Sequence, residues 1–303
     1  MRRKKLVLPE GEIASANLTT GFSVDWISAT IKQNERAKEF NFLAAFDMIS
    51  KRSPAKPLHG YDSAYRWQFG ALMLWHSIKP EMGVHFILSG QALRALHENQ
   101  FDAMFLLTRF VACSAKLTMI HLALDIMDST LKPVDIYRQF MDRNFTGRAQ
   151  NASVIENSFG GQTCYVGSWN SERFFRLYDK AAEQGIENMN WKRLELVLKG
   201  EYAQAFTYKF AAEHSIERAL ELFRGAIGAM AEFNNADWIE ALRGEKTSLA
   251  LPKYKERKTR EWLLTQVVPA MARYVIETGD ETILNDFAAE FDGAYQKALK
   301  QIK

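Results

Sequence analysis

The stretch LTMIHLALDI, residues 117–126, indicates the fold class better than any other part of the chain. Successive side chains of a β-strand point to opposite faces, so the even-numbered positions from Ile120 to Ile126 form one apolar face. His121 and Asp125 share the other face and flank the small side chain of Ala123. Such a strand is typical of a sheet that carries a core on one face and polar chemistry on the other. An imidazole and a carboxylate in this arrangement can hold a divalent cation or position a base.

Strand-like segments recur on both sides of this stretch, and two helical segments lie among them. Strands are predicted at Phe22–Thr30, Tyr65–Trp75, Gly83–Leu88, Thr163–Val166, Arg173–Lys180 and Trp191–Lys199. Helices are predicted at Gln91–Thr108 and Pro133–Asp142. In the first strand, strict alternation places Phe22, Val24 and Trp26 on one face and Asp25 on the other.

The character of the chain changes after Gly200. Apolar residues take helical spacing over Tyr202–Asn234 and Thr259–Lys303, and few β-branched runs remain. The sequence therefore predicts an α+β fold in three parts, with a basic N-terminal arm at 1–20, an α+β domain at 21–200 and a helical region at 201–303.

Composition narrows the function only a little. The net charge of +3 is too small to argue for nucleic acid by itself, although basic residues cluster at 2–5 and 253–260. Cys113 and Cys164 are the only cysteines, which fits a reducing cytoplasm. No signal peptide and no membrane span are expected. Phosphate-loop, CxxC and HExxH motifs are absent from the sequence.

The segment RFFRLYDK, residues 173–180, offers a nucleophile. Alternation places Arg176, Tyr178 and Lys180 on one face, and two cations beside a phenol favour its phenolate and can bind the phosphate that it attacks. A strand tyrosine taken alone is more commonly a packing residue. Two further carboxylates, Glu183 and Glu195, follow on or next to predicted strands.

The tyrosine segment also carries a family resemblance. TCYVGSWNSERFFRLYDKAAE, at 163–183, resembles the tyrosine motif of the replication initiation factor family, the Rep-trans group of rolling-circle initiators from plasmids and filamentous phages. FSVDWIS at 22–28, HLALDI at 121–126 and RLELVLK at 193–199 follow the family's order, and RKTREWLLTQVVPAMAR at 257–273 looks like its phage branch.

The resemblance implies an antiparallel sheet with flanking helices, related to the HUH nucleases. It implies that Tyr178 attacks a phosphodiester at a replication origin and forms a 5′-phosphotyrosyl link, with Lys180 and Arg176 as the other catalytic groups. It also implies Mg²⁺ or Mn²⁺ held by acidic positions, and the expected ligands here are His121, Asp125, Glu195 and Glu183.

The sequence departs from the family pattern in two places. Met119 and His121 stand where an arginine and an acid are common, and histidine remains a competent metal ligand. Trp169 stands where an arginine is common, and a tryptophan can stack on an unpaired base. The full set of expected DNA contacts is Arg173, Trp169, Arg193, Lys253, Lys255, Arg257, Lys258 and Arg260.

The expected partners are single-stranded or hairpin origin DNA, a host helicase and a polymerase. The helical region is left with three roles, namely duplex contacts, a helicase surface or a homodimer interface. A conjugative relaxase, a non-catalytic origin-binding protein and a structural α+β scaffold remain as alternatives. The relaxase shares the tyrosine chemistry. A denaturation-resistant protein–DNA adduct would exclude the origin-binding protein, and the tyrosine motif disfavours the scaffold.

Overall fold

Twelve strands lie within the residues that the computed structural model describes, which are 21–32, 42–127, 131–156, 161–234, 242–249, 266–290 and 292. Ten of these strands form one antiparallel sheet and two form a separate ribbon. The strands are β1 (Phe22–Ile31), β2 (Arg52–Pro54), β3 (Ser63–Trp67), β4 (Leu72–Trp75), β5 (Val84–Ser89), β6 (Lys116–Met127), β7 (Phe145–Thr146), β8 (Ala152–Glu156), β9 (Gln162–Val166), β10 (Arg173–Asp179), β11 (Trp191–Lys199) and β12 (Glu232–Phe233).

The strand order places the predicted polar strands next to one another. The large sheet runs β2-β3-β4-β5-β1-β6-β11-β10-β9-β8, so β1, β6, β11 and β10 form its middle. Every neighbouring pair is antiparallel, and β7 pairs with β12 outside this sheet. The α+β fold with an antiparallel sheet and helices is thereby confirmed.

Eight α-helices begin and end within the described ranges. They are α1 (Phe42–Ile49), α2 (Gly90–Glu98), α3 (Ala103–Ala112), α4 (Pro133–Met141), α5 (Lys180–Gln184), α6 (Gly200–Glu213), α7 (Ile216–Met230) and α8 (Val268–Thr278). Apolar side chains of α2, α3, α4, α6 and α7 form one buried cluster with the apolar face of the sheet. Polar side chains project from the opposite face of the middle strands.

The core extends past residue 200 into α6 and α7. Phe206 and Phe210 of α6 are almost completely buried against the sheet, and the ring of Phe223 in α7 lies 5.4 Å from that of Phe22 in β1. The chain accordingly divides into compact units at Met1–Ala250 and Leu251–Lys303, not at 200. The reason is that α6 follows β11 without a loop and buries its aromatic face on the same sheet.

The second unit contributes α8 and a helical stretch at 282–290 to the described residues. Within the described ranges no helix combines the length and apolarity needed to span a membrane.

Two predicted elements are wrong in detail. The single helix expected at Gln91–Thr108 is two helices, because Gln100 takes a left-handed φ of 67° and Asp102 begins α3 by accepting a hydrogen bond from the amide of Met104. The strand expected at Tyr65–Trp75 is a hairpin of β3 and β4 that turns at Gly70, whose φ is 101°. Strand β8 and helix α1 were not expected at all.

Candidate active site

The β10–β11 pair brings the candidate nucleophile to a carboxylate. Tyr178 lies opposite Arg193 and Arg176 lies opposite Glu195, so all four side chains project from the same face. The Tyr178 hydroxyl donates a hydrogen bond to Oε2 of Glu195 at 3.3 Å. Only 7% of Tyr178 is exposed, which means that the phenol is held inside the site and not on the surface.

Glu195 is the centre of the polar network. It is fully buried, and its two oxygens accept hydrogen bonds from Arg176 at 2.9 Å and from Nδ1 of His121 at 2.8 Å. Burial raises the pKa of Glu195, but the His121 hydrogen bond and the Arg176 charge outweigh it and hold the pKa at about 2. Glu195 is therefore ionised at neutral pH and acts as an acceptor.

Tyr178 is a neutral phenol at neutral pH. Burial and the Glu195 charge raise its pKa well above the usual 10, although Arg193 acts in the opposite direction. Two cations flank the ring, because the guanidinium of Arg176 lies 5.2 Å and the ammonium of Lys180 lies 5.6 Å from its centroid. Lys180 pairs with Glu183 in α5. The structure thus brings together Tyr178 and the two cations, Arg176 and Lys180, that the sequence singled out.

A second ion-pair network lies beside the first. Arg193 donates through Nε and Nη2 to the two oxygens of Asp125 at 2.7 and 2.8 Å, and through Nη1 to Asp25 at 3.3 Å. The indole of Trp191 also donates to Asp125, at 2.8 Å. Burial lowers the pKa of Arg193, but its two aspartate partners outweigh burial and raise the pKa above its ordinary value. Arg193 is a permanent cation directly across the strand pair from Tyr178.

Asp25 is a site residue that the sequence does not single out, although alternation places it on the polar face. The register of β1 against β6 shifts between Val24 and Trp26, which is a β-bulge at Asp25. Trp26 consequently faces the site, where it stacks on His121 at 5.7 Å, instead of sharing the core face with Phe22. Burial raises the pKa of Asp25. The sequence signal for this bulge is a change of phase, because the buried apolar residues lie at even positions up to Val24 and at odd positions from Ile27 onward.

Two glycines allow the close approach of backbone to these carboxylates. A Cβ on Gly90, the first residue of α2, would lie 2.5 Å from Oδ1 of Asp25. Gly21, with a φ of 62°, would place its Cβ 2.8 Å from the carbonyl oxygen of Asp125. Both positions therefore require glycine for packing around the acids.

The residues expected to bind a metal ion meet only some of the requirements for a metal site. His121 uses Nδ1 on Glu195, and its Nε2 is buried with no hydrogen-bond partner, which is the arrangement of a metal-binding imidazole. Asp125 and Glu195 are suitable ligands chemically, but both are already engaged by arginines. The described residues contain no group of three His, Cys, Asp or Glu placed to hold a metal. A cation there has to share or displace an arginine.

A small cavity gives access to Tyr178. Its volume is about 150 Å³, and its lining includes Thr163 of β9, Arg176, Tyr178 and Glu183. A phosphate group that enters this cavity meets the phenol and the guanidinium together, which is the placement needed for attack on phosphorus.

The expected DNA contacts are separated by the structure. Trp169 is 60% exposed and available to a ligand. Arg173 lies over the ring of Tyr202 in α6 at 4.6 Å. Arg193 is only 6% exposed and is engaged by two aspartates, so its expected role at the DNA surface is replaced by one inside the site. The basic residues at 253–260 and the arm at 1–20 lie outside the described residues.

Comparison with known families agrees with this geometry. The family model described as replication initiation factor matches residues 115–287, which is more than half of the chain and includes Tyr178. The chain belongs to the replication initiation factor family. The resemblance carried by the tyrosine motif is confirmed.

Among solved structures, this replication initiation factor is similar to the rolling circle replication initiator protein from Geobacillus stearothermophilus. The TM-score is 0.60 with 20% identical residues, over 76% of this chain and 93% of that chain. At this identity the likeness shows a shared fold. Comparison with curated proteins finds no significant match.

Proposed function

We propose that this replication initiation factor starts rolling-circle replication by nicking and rejoining an origin strand through a covalent bond to Tyr178. The observation that carries the proposal is the hydrogen bond from the Tyr178 hydroxyl to the ionised, buried Glu195. A tyrosine that only packs in a sheet does not need a buried carboxylate on its hydroxyl and two cations around its ring. The arrangement supplies a nucleophile, a proton acceptor and charge neutralisation at one point.

The reaction follows from these positions. The Tyr178 oxygen forms a bond to phosphorus as its proton passes to Glu195, and the bond from phosphorus to the 3′ oxygen breaks. The leaving 3′ oxygen takes up a proton from water and becomes the free 3′ hydroxyl, and the 5′ end stays attached to the enzyme. Arg176 and Lys180 stabilise the charge that develops on the phosphate. Because the phosphotyrosyl bond is also a phosphodiester, the 3′ hydroxyl can reverse the reaction without ATP.

We also propose Mg²⁺ or Mn²⁺ as the cofactor, with Nε2 of His121 as its principal ligand and Asp125 and Glu183 as the others. Glu195 accepts from Nδ1 of the same ring, so it would orient His121 and not bind the ion itself. The free, buried Nε2 of His121 supports this. A bound cation would polarise the phosphate. The residue roles above do not depend on it, since His121 already orients Glu195 through Nδ1.

The test is a covalent-adduct assay on single-stranded fragments of the parent replicon. DNA labelled at the 3′ end remains attached to the protein after denaturation if a 5′-phosphotyrosyl bond forms, whereas 5′-labelled DNA is released. We expect the wild-type chain to give the 3′-labelled adduct and Tyr178→Phe to give none while binding DNA nearly as before.

Tyr208→Phe is the matched control, because Tyr208 is a half-exposed tyrosine of α6 outside the site and loses only its hydroxyl. It should form the adduct at the wild-type rate. An adduct that persists in Tyr178→Phe would show that another residue is the nucleophile. A wild-type chain that binds the origin without any adduct would support the non-catalytic origin-binding protein.

A further inference from the structure

A second cavity lies on the same face of the sheet and is larger than the one at Tyr178. Its volume is about 490 Å³, within the range of ligand-binding clefts. The lining extends from His85 on β5 to Phe174 on β10, which are four strand spacings apart, or about 19 Å. This groove therefore crosses the middle of the sheet and is long enough for an extended chain of small groups.

One end of the groove is built from aromatic rings and a cation. The rings of Trp169 and Phe174 lie 5.0 Å apart, and Nζ of Lys199 lies 5.5 Å and 5.3 Å from their centroids. The ammonium is fixed in place because it also donates to the carbonyl oxygen of Trp169 at 2.5 Å. Trp169 nevertheless leaves 60% of its surface exposed. An exposed indole held by a cation offers a flat surface to another π system.

The other end adds further flat side chains. His59 and Tyr61 lie against His85, with ring centroids 6.2 Å and 6.1 Å from it. His85 is held by the hydroxyls of Ser28 and Thr30, and burial lowers its pKa to about 4, so its ring is uncharged at neutral pH. Lys199 is then the permanent cation among the residues that line the groove.

This lining favours unpaired bases over a duplex. A duplex presents phosphates, which are bound by several lysines and arginines, whereas base faces are bound by aromatic side chains with few cations. The groove has the second composition. It is also continuous with the active site, because His121 contributes to its lining and donates to Glu195, the acceptor of the Tyr178 hydroxyl.

We infer that the groove binds a single-stranded segment of DNA next to the nick site, with one base stacked on Trp169. Phe174 and Tyr178 lie on one face of β10 four residues apart, about 13 Å along the strand, so the stacked base lies within a few nucleotides of the attacked phosphate. The inference rests on the proposed function for its substrate class, and it adds where the strand runs and which side chain holds it.

Equilibrium binding to a fluorescent oligothymidylate tests the groove without requiring a nick. Stacking of one base is worth about 1–3 kcal/mol, so we expect Trp169→Ala to raise Kd by about 5- to 140-fold. Trp169→Phe keeps an aromatic face and should recover most of the affinity. Tyr208→Ala removes an exposed aromatic side chain elsewhere and should leave Kd unchanged.

Photocrosslinking gives an independent readout on the full chain. An oligonucleotide that carries iododeoxyuridine should crosslink to Trp169, to its neighbour Phe174 or to Tyr61 at the other end of the groove, as located by mass spectrometry of the peptides. Crosslinks found only outside the groove, or a Trp169→Ala Kd within twofold of wild type, would overturn the inference.

The two proposals fail separately. Wild-type adduct formation together with unchanged binding by Trp169→Ala refutes only the groove. Weakened binding by Trp169→Ala with no adduct from wild type refutes only the nicking reaction.

Discussion

Glu195 is the residue on which the candidate site depends most. It accepts hydrogen bonds from Tyr178, Arg176 and His121, which come from two other strands, and it has no exposed surface. Groups that share one buried acceptor are coupled, so a change at Glu195 affects all three at once. The same carboxylate therefore contributes to both catalysis and folding, and the two contributions can be measured separately.

The catalytic contribution is tested by Glu195→Gln. The amide keeps the shape and still accepts a hydrogen bond from Tyr178, but it does not take up the phenolic proton. Loss of a general base costs about 10²- to 10⁴-fold in rate, and we expect that reduction in single-turnover adduct formation. Glu98→Gln is the control, because Glu98 is an exposed carboxylate on α2, and this variant should react as wild type. An unchanged rate in Glu195→Gln would show that another group accepts the proton.

The folding contribution is tested by acid. The pKa of Glu195 is lowered in the folded chain to about 2, from an ordinary value of 4.5. The unfolded chain therefore binds the proton more readily, so the stabilisation is complete above pH 4.5 and is lost as pH falls towards 2. The loss is on the order of 3 kcal/mol. Urea unfolding across this range should show this loss of stability in wild type and a smaller loss in Glu195→Gln. An equal loss in both chains would show that another group causes the acid sensitivity.

At the scale of elements, the site depends on the irregularity of β1 as much as on the regularity of its neighbours. Strands β6, β11 and β10 keep strict alternation, and this alone aligns His121, Glu195 and Tyr178. The bulge in β1 brings Trp26 onto the same face as Asp25, where it stacks on His121. The bulge in turn lies against the first residue of α2, where Gly90 has no side chain.

Gly90→Ala should therefore disturb the site from outside it. The new Cβ would lie 2.5 Å from Oδ1 and 3.2 Å from the carbonyl oxygen of Asp25, so the bulge or α2 must move. Such overpacking costs about 1–3 kcal/mol. Gly228→Ala in α7 is the matched control, because its Cβ meets atoms no closer than 3.6 Å and alanine favours a helix by about 0.5–1 kcal/mol. Urea unfolding should give a lower free energy of unfolding for Gly90→Ala and a higher one for Gly228→Ala. A Gly90→Ala chain as stable as wild type would contradict the close packing.

At the scale of the whole molecule, the sequence predicts what is local and periodic. The bounds of β11 match the predicted strand, and those of β6 and β10 differ by one residue, because long alternation is visible without a partner. The burial of Arg193 and the seating of α6 on the sheet depend on residues far apart in the chain. The tyrosine and its cations were therefore predictable, whereas the burial of Arg193 and the domain boundary were not.

The boundary can be tested by truncation. A chain that ends at residue 200 loses Phe206, Phe210 and Phe223, which are buried against the sheet. Each is worth about 1.5–3 kcal/mol of burial, so together they rival the total stability of a domain, about 5–15 kcal/mol. A chain that ends at 250 keeps them, together with every described residue of the candidate site. We expect the longer chain to unfold in one cooperative urea transition and to form the tyrosyl adduct, and the shorter one to show no cooperative transition. Cooperative unfolding of the 200-residue chain would show that the domain ends near residue 200, as the sequence predicts.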